Sequence, residues 1–219
     1  MPIRISIVPS IFGVVLLIAL SLATAIILFT RHQNHEQAVN TADMLMDQSN
    51  QLVHLRIEGL IKPIESVVNR APLWPEIEYL PSISGHPTRD LQLLFARDHP
   101  EISSIILGFD GGDFYQIKLI IHHGERDEIA DAPEEAVLLE KVILRSNRDI
   151  PMEIDRFLDE QGRVISSKTS FSPDYDPRER PWFENAKDID SVATSEIYTF
   201  AGSGKSGITI SKRFDGGVV

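Results

Sequence analysis

The sequence predicts an α+β fold: an apolar span and a long helix at the N-terminal end, then an antiparallel sheet with short helices. Three observations predict it. Between Arg4 and Arg31 there is no charged residue. From Ala38 to Ala71 apolar or small residues recur three or four apart, the spacing of one helix face. From Ser104 onward the apolar period falls to two and turn residues punctuate it, as in hairpins. Helices followed by a run of strands is the order of an α+β chain.

The first element is a transmembrane helix. At about 1.5 Å per residue the run ISIVPSIFGVVLLIALSLATAIILFT exceeds the roughly 30 Å hydrocarbon layer of a bilayer. Ala23-Thr24-Ala25 resembles a signal-peptidase site. The apolar run nevertheless continues through Ile26, Ile27, Leu28 and Phe29, which favours an uncleaved anchor over residues 1–31. Arg4 and the α-amine on one side, against Arg31 followed by acidic residues on the other, orient the N-terminus toward the cytoplasm and the remainder outside.

Residues 32–71 form the second element, a stalk. Its stripe runs through Ala38, Ala42, Leu45, Ser49, Val53, Ile57, Leu60, Ile64, Val67 and Ala71. Two readings are open: packing onto the domain's own core, or the seam of a homodimer. Gly59 and Pro63 are expected to bend the helix, because proline removes a backbone donor and crowds the preceding turn.

The sheet domain is expected over 72–219. Pro72, Pro75, Pro81 and Pro87 mark a wrapped crossing that suits neither a helix interior nor a central strand. A short helix near Leu91–Arg97 follows, capped by Thr88 or Asp90. Ser104–Phe109 and Phe114–His122 flank Asp110-Gly111-Gly112-Asp113 as a first hairpin, and Val137–Arg145 reads as a strand after an acidic loop. Met152–Leu158 and Arg163–Ser167 flank Asp159-Glu160-Gln161-Gly162 as a second hairpin. Ile197–Phe200 and Ile208–Phe214 flank AGSGKSG as a third, and Val218-Val219 open a further strand after the Asp215-Gly216-Gly217 turn. That opening strand implies that the domain continues, with a second span and an output domain downstream.

Composition excludes some functions. A net charge of −11 with no Lys/Arg cluster argues against nucleic acid as a partner. The chain has no cysteine, so the fold relies on no disulfide. Gly202-Ser203-Gly204-Lys205-Ser206 imitates the end of a phosphate-binding loop, yet Thr199 stands where that loop needs glycine, and strand follows where it needs helix. His122 and His123, adjacent on a strand, point to opposite faces and make no metal site. Asp110 and Asp113 lack the further oxygens of a calcium loop. No nucleophile, base and orienting group come together, so neither catalysis, nor a metal, nor a cofactor is expected.

The most specific segment is Tyr175-Asp176-Pro177-Arg178-Glu179-Arg180-Pro181-Trp182-Phe183-Glu184-Asn185-Ala186. Asp176-Pro177 suits a helix start. Arg180 offers a planar fork for a carboxylate, Trp182 an indole face and Tyr175 a phenol. The alternative reading ties Arg180 to a carboxylate of the fold and makes Trp182 core. This YDPRxRPW signature, followed by IYTF and GITIS, resembles the membrane-distal half of the double Cache sensor domains of bacterial receptors. The resemblance implies a PAS-like antiparallel sheet carried on a long N-terminal helix, and small-molecule sensing outside the cytoplasm, with an amino acid or another carboxylate as ligand. In the amino-acid-binding members the residues matching Tyr175, Arg180 and Trp182 contact the ligand, with Arg and Trp receiving its carboxylate. Phe183, the fourth candidate contact, stands where those members have Tyr and so lacks the hydroxyl, and their amine-contacting Asp lies beyond Val219. The segments GGDFYQIK and PDYDPRERPW further resemble sensors attached to nucleotide cyclases or HD-type phosphodiesterases.

Overall fold

The computed structural model describes residues 7–120, 129 and 132–219, the side chains of 7–12 and 32–42 apart. His122 and His123, and with them the end of the first expected hairpin, lie outside the described residues. The chain divides into two compact units, Met1–Gly59 and Leu60–Val219.

Helix α1 runs from Ile7 to Arg70 and contributes to both units. In the first unit, Gly13–Arg31 is long and apolar enough to cross a membrane. Its hydroxyl side chains are satisfied within the helix: Ser21, Thr24 and Thr30 donate to the carbonyls of Ile18, Leu20 and Ile26 at 2.8–2.9 Å. Such back-bonding satisfies each hydroxyl within the helix, without a water partner. Helical structure continues through Gly59 and Pro63 without interruption. The apolar stripe changes character along its length. Leu45, Val53, Ile57 and Leu60 are exposed, whereas Ile64 and Val67 are half-buried and Ala71 is fully buried in the core.

In the second unit α1 passes into a 3₁₀ turn at Ala71–Leu73 and then into the proline-rich crossing. That crossing holds one isolated bridge, Ser82 to Gly85. Helix α2, Arg89–Asp98, follows. Thr88 occupies its N-cap position, but its hydroxyl is committed to His86 Nδ1 (2.8 Å) and to Gln92 Nε2 (2.9 Å), so it does not cap a backbone N–H.

Five long antiparallel strands follow: β1 (Ser104–Phe109), β2 (Phe114–Leu119), β3 (Leu138–Leu144), β4 (Met152–Leu158) and β5 (Val164–Phe171). The turn from β1 to β2 closes with Phe109 N–H to the Asp113 carbonyl, and Gly112 takes φ +85°. Only glycine adopts that conformation cheaply. The 3₁₀ turn Pro177–Glu179 and helix α3 (Pro181–Ala186) cross one face of the sheet. Pro177 and Pro181 each occupy the first turn, where a missing N–H is harmless.

The C-terminal part departs from expectation. The single strand expected over Ile208–Phe214 is divided between two pairings, and the pairing with Tyr198–Thr199 falls just before it, at Ser206–Gly207. Tyr198–Thr199 (β7) pairs with Ser206–Gly207 (β8), Ala193–Thr194 (β6) pairs with Ile210–Ser211 (β9), and Arg213–Phe214 (β10) pairs with Gly217–Val218 (β11). At the end of β9 Ser211 is fully buried, its hydroxyl donating 2.9 Å to the Trp182 carbonyl. β11 then pairs with β1, giving the strand order β10-β11-β1-β2-β3-β4-β5.

The sheet separates two cores. The first face carries Leu107, Tyr115, Ile117, Val142 and Ile154 against Ile77, Leu93 and Ala96. The second carries Phe114 and Ile143 against Trp182, Phe183 and Ala186. Gly108 makes the second packing possible: a Cβ there would lie 2.6 Å from Trp182 and 3.0 Å from Phe183 and Pro177.

Candidate functional site

On the second face the register aligns three rows across the sheet. Gly108, Phe114, Ile143 and Glu153 form one row; Ile106, Gln116, Lys141, Asp155 and Lys168 the next; Ser104, Lys118, Leu139 and Phe157 the third. The YDPRERPWF segment lies over the first row. The Tyr175 ring packs 4.8 Å from that of Phe114, and Trp182 meets Phe183 edge-on at 5.6 Å.

The segment is held by its own charges and by β3. Asp176 accepts from Arg178 N–H at 3.0 Å and pairs with the Arg178 guanidinium at 2.6 Å, a bond that holds its carboxyl below the usual range. Arg145, just after β3, donates to the carbonyls of Pro173 (3.0 Å) and Tyr175 (2.8 Å), while its own N–H is received by Asp113 at 2.9 Å. Asp113 is buried and thus structural. Asp110, at the other end of the turn, pairs with both terminal nitrogens of Arg213 at 2.6 and 2.7 Å, which lowers its pKa.

The four residues singled out by the sequence fall in two groups. Tyr175, Arg180 and Trp182 line a cavity of about 960 Å³, which draws lining from both faces of the sheet. Phe183 is 3 % exposed and packs at Gly108, in the core and not in that wall. Trp182 does both: it is 1 % exposed, within the second core, yet presents an edge to the cavity. Burial pushes the Tyr175 hydroxyl up to about 12, against the lowering effect of its hydrogen bond with Trp182 and of the Arg180 charge. It is therefore a neutral donor at ordinary pH.

Arg180 is half-buried. Its guanidinium carbon lies 5.9 Å from the Tyr175 ring and 5.7 Å from the Tyr198 ring, within cation–π range of both. One Nη donates 3.0 Å to the Thr199 carbonyl. None of these contacts is with a carboxylate. A guanidinium carries five N–H donors in a fixed fork, so this arrangement leaves capacity for an incoming anion.

Sequence reasoning missed the cavity floor. Lys141 Nζ lies 2.7 Å from Glu153 Oε1 and 2.8 Å from Asp155 Oδ1, with Gln116 beside it in register. The signal was available: Lys141 and Asp155 are charges whose same-face neighbours along β3 and β4, Leu139, Ile143 and Phe157, are apolar. Tyr198 and Thr199 were legible only as hairpin strand. Their place beside Arg180 depends on the β7–β8 hairpin, whose Tyr198 hydroxyl bonds Thr209 Oγ1 at 2.6 Å.

Comparison with known proteins is sparse. No family model matches the chain, and no solved structure matches it. It is similar to Adenylate cyclase 1 of Rhizobium meliloti (strain 1021), 27 % identical over 117 residues, which are 53 % of this chain and 17 % of that protein. The matched stretch thus spans about a sixth of the relative's length.

Proposed function

We propose that this chain is the ligand-sensing portion of a membrane-anchored bacterial signalling receptor, with a Cache-type domain held outside the cytoplasm and a small carboxylate as ligand. The observation that carries the reading is Arg180: a half-buried guanidinium in a cavity wall, stacked between two tyrosines, whose one hydrogen bond in that wall goes to a carbonyl. The Gly13–Arg31 span supports the membrane anchor. Similarity to a protein named as an adenylate cyclase supports a nucleotide-cyclase output, in preference to an HD-type phosphodiesterase, carried by a longer protein. In this reading the chain itself senses and does not catalyse.

The test is thermal stabilisation of the detergent-solubilised chain by a panel of carboxylic and amino acids, since binding to the folded state raises its melting temperature by mass action. Stabilisation by a carboxylate that Arg180→Ala abolishes is the expected result. Equal stabilisation of wild type and Arg180→Ala overturns the assignment.

A second reading is favoured by the exposed stripe Leu45, Val53 and Ile57. Here the helix is the seam of a homodimer, either serving the receptor or, without a ligand, defining a membrane-anchored interaction protein. Single cysteines at Leu45, Ser49 and Val53, in a chain that has none, crosslink with three- and four-residue periodicity if the stripe is a seam.

A further inference from the structure

The cavity floor points to a particular kind of ligand, an inference that rests on the sensing role proposed for Arg180. In its central row one ammonium serves two carboxylates: Lys141 contacts both Glu153 and Asp155, all three about a fifth exposed. Asp155 Oδ1 is buried and, although close to that ammonium, receives no hydrogen bond of acceptable geometry. An under-satisfied carboxylate oxygen in a cavity invites a donor cation. Lys168 closes the row opposite Asp155, at the outer strand, where its side chain is exposed.

The two poles of the site are set apart. Arg180 lies over Tyr175, which packs on Phe114 of β2, whereas the two carboxylates stand on β4. Strands two apart in a sheet are separated by roughly 10 Å. Between the poles the polar row is bordered by Phe114 on one side and by Leu139 and Phe157 on the other, all three in the cavity wall. Those borders suit methylene groups.

We infer that the ligand is a zwitterion with separated poles, an ω-amino or guanidino carboxylate, whose carboxylate meets Arg180 and whose cation meets Glu153 and Asp155 across an aliphatic spacer. An α-amino acid without a distal cation carries its two charges on one carbon and reaches only one pole.

The experiment is calorimetric titration of the full chain in detergent with 5-aminopentanoate, L-arginine, pentanoate, glutarate and glycine. Expected are binding of 5-aminopentanoate or L-arginine at least tenfold tighter than the other three, and a loss of that preference in Glu153→Gln and in Asp155→Asn. Either conservative variant suffices if the other fails to fold. Pentanoate binding as tightly as 5-aminopentanoate overturns the inference while leaving carboxylate sensing intact. Glutarate binding more tightly overturns it too, since the lysines of the row would then read the far pole. Binding unaffected by Arg180→Ala, or no binding of any of the five, overturns both the inference and the anchoring role of Arg180 with this ligand class.

Discussion

The same two strands carry a charged pair on each face of the sheet, and the two pairs have opposite fates. Glu140 and Lys141 are neighbours on β3; Asp155 and Arg156 are neighbours on β4; the register sets Glu140 opposite Arg156 on the first face and Lys141 opposite Asp155 on the second. On the first face the carboxylate is closed off. Glu140 is 1 % exposed and receives Arg156 at 3.0 Å, the Tyr115 hydroxyl at 2.8 Å and the Arg89 guanidinium of α2 at 3.3 Å, while Gly85 leaves no room for a Cβ, which would lie 2.6 Å from its Oε1. Every acceptor there is used. On the second face the pair lines a cavity, with one ammonium shared by two acids. What distinguishes the two is local coverage: α2 and the crossing seal Glu140, whereas α3 and the β7–β8 hairpin leave the Lys141 row open to the cavity.

The comparison breaks most decisively at Glu140. Glu140→Ala would strand Arg156 with no carboxylate and leave Arg89 only its exposed neighbour Asp90, and breaking a buried pair in this way costs about 3–5 kcal/mol. Urea denaturation should show that loss. A change below about 1 kcal/mol would mean the first face is as open as the second.

A smaller effect belongs to His86, which seals the same face. Its ring lies 5.3 Å from that of Tyr115; Nε2–H donates to the Tyr79 carbonyl at 2.7 Å, and Nδ1 accepts from Thr88 N–H at 3.1 Å. Burial pushes its pKa below the ordinary value, against the raising effect of backbone carbonyls. The unfolded chain therefore binds the proton more readily than the folded one. The stabilisation is complete above about pH 6.5, the unperturbed value, and is lost as pH falls toward the lowered one. Melting temperatures recorded from pH 7.5 to 5 should decline for the wild type and decline less for His86→Gln. Equal declines would place the acid sensitivity elsewhere.

Least of all should be lost at Lys141. Its side chain and those of Glu153 and Asp155 keep about a fifth of their surface exposed, so water can reach the acids left behind. Lys141→Met should lower the urea midpoint by less than Glu140→Ala does. A loss comparable to that of Glu140→Ala would make the second row structural and remove it from the candidate site.

Local signals carried far along this chain. The absence of charge from Ile5 to Thr30, the period-two runs of β1 to β4 and the turns Asp110–Asp113 and Asp159–Gly162 appear where the sequence places them, because each depends on residues a few positions apart. The Asp159 carboxylate, for example, caps its own turn through the Gln161 and Arg163 N–H groups at 2.9 Å. The YDPRERPW segment was equally legible as a turn and short helix, since Asp176 and the prolines act within one turn.

Tertiary structure alone decided the rest. Which arginine of the segment is tied up is not written in the spacing: Arg178 reaches back to Asp176, and that frees Arg180 for Thr199 and two tyrosine rings. The division of Ile208–Phe214 between two partners is accompanied by a buried serine that meets a helix carbonyl 29 residues away in sequence. Likewise the sequence set Glu140 beside Lys141, but only the strand register and the differing covers of the two faces could make one a sealed core charge and the other the floor of a cavity. Such choices depend on contacts between segments far apart in the chain, where desolvation and geometry, not local propensity, set the energy.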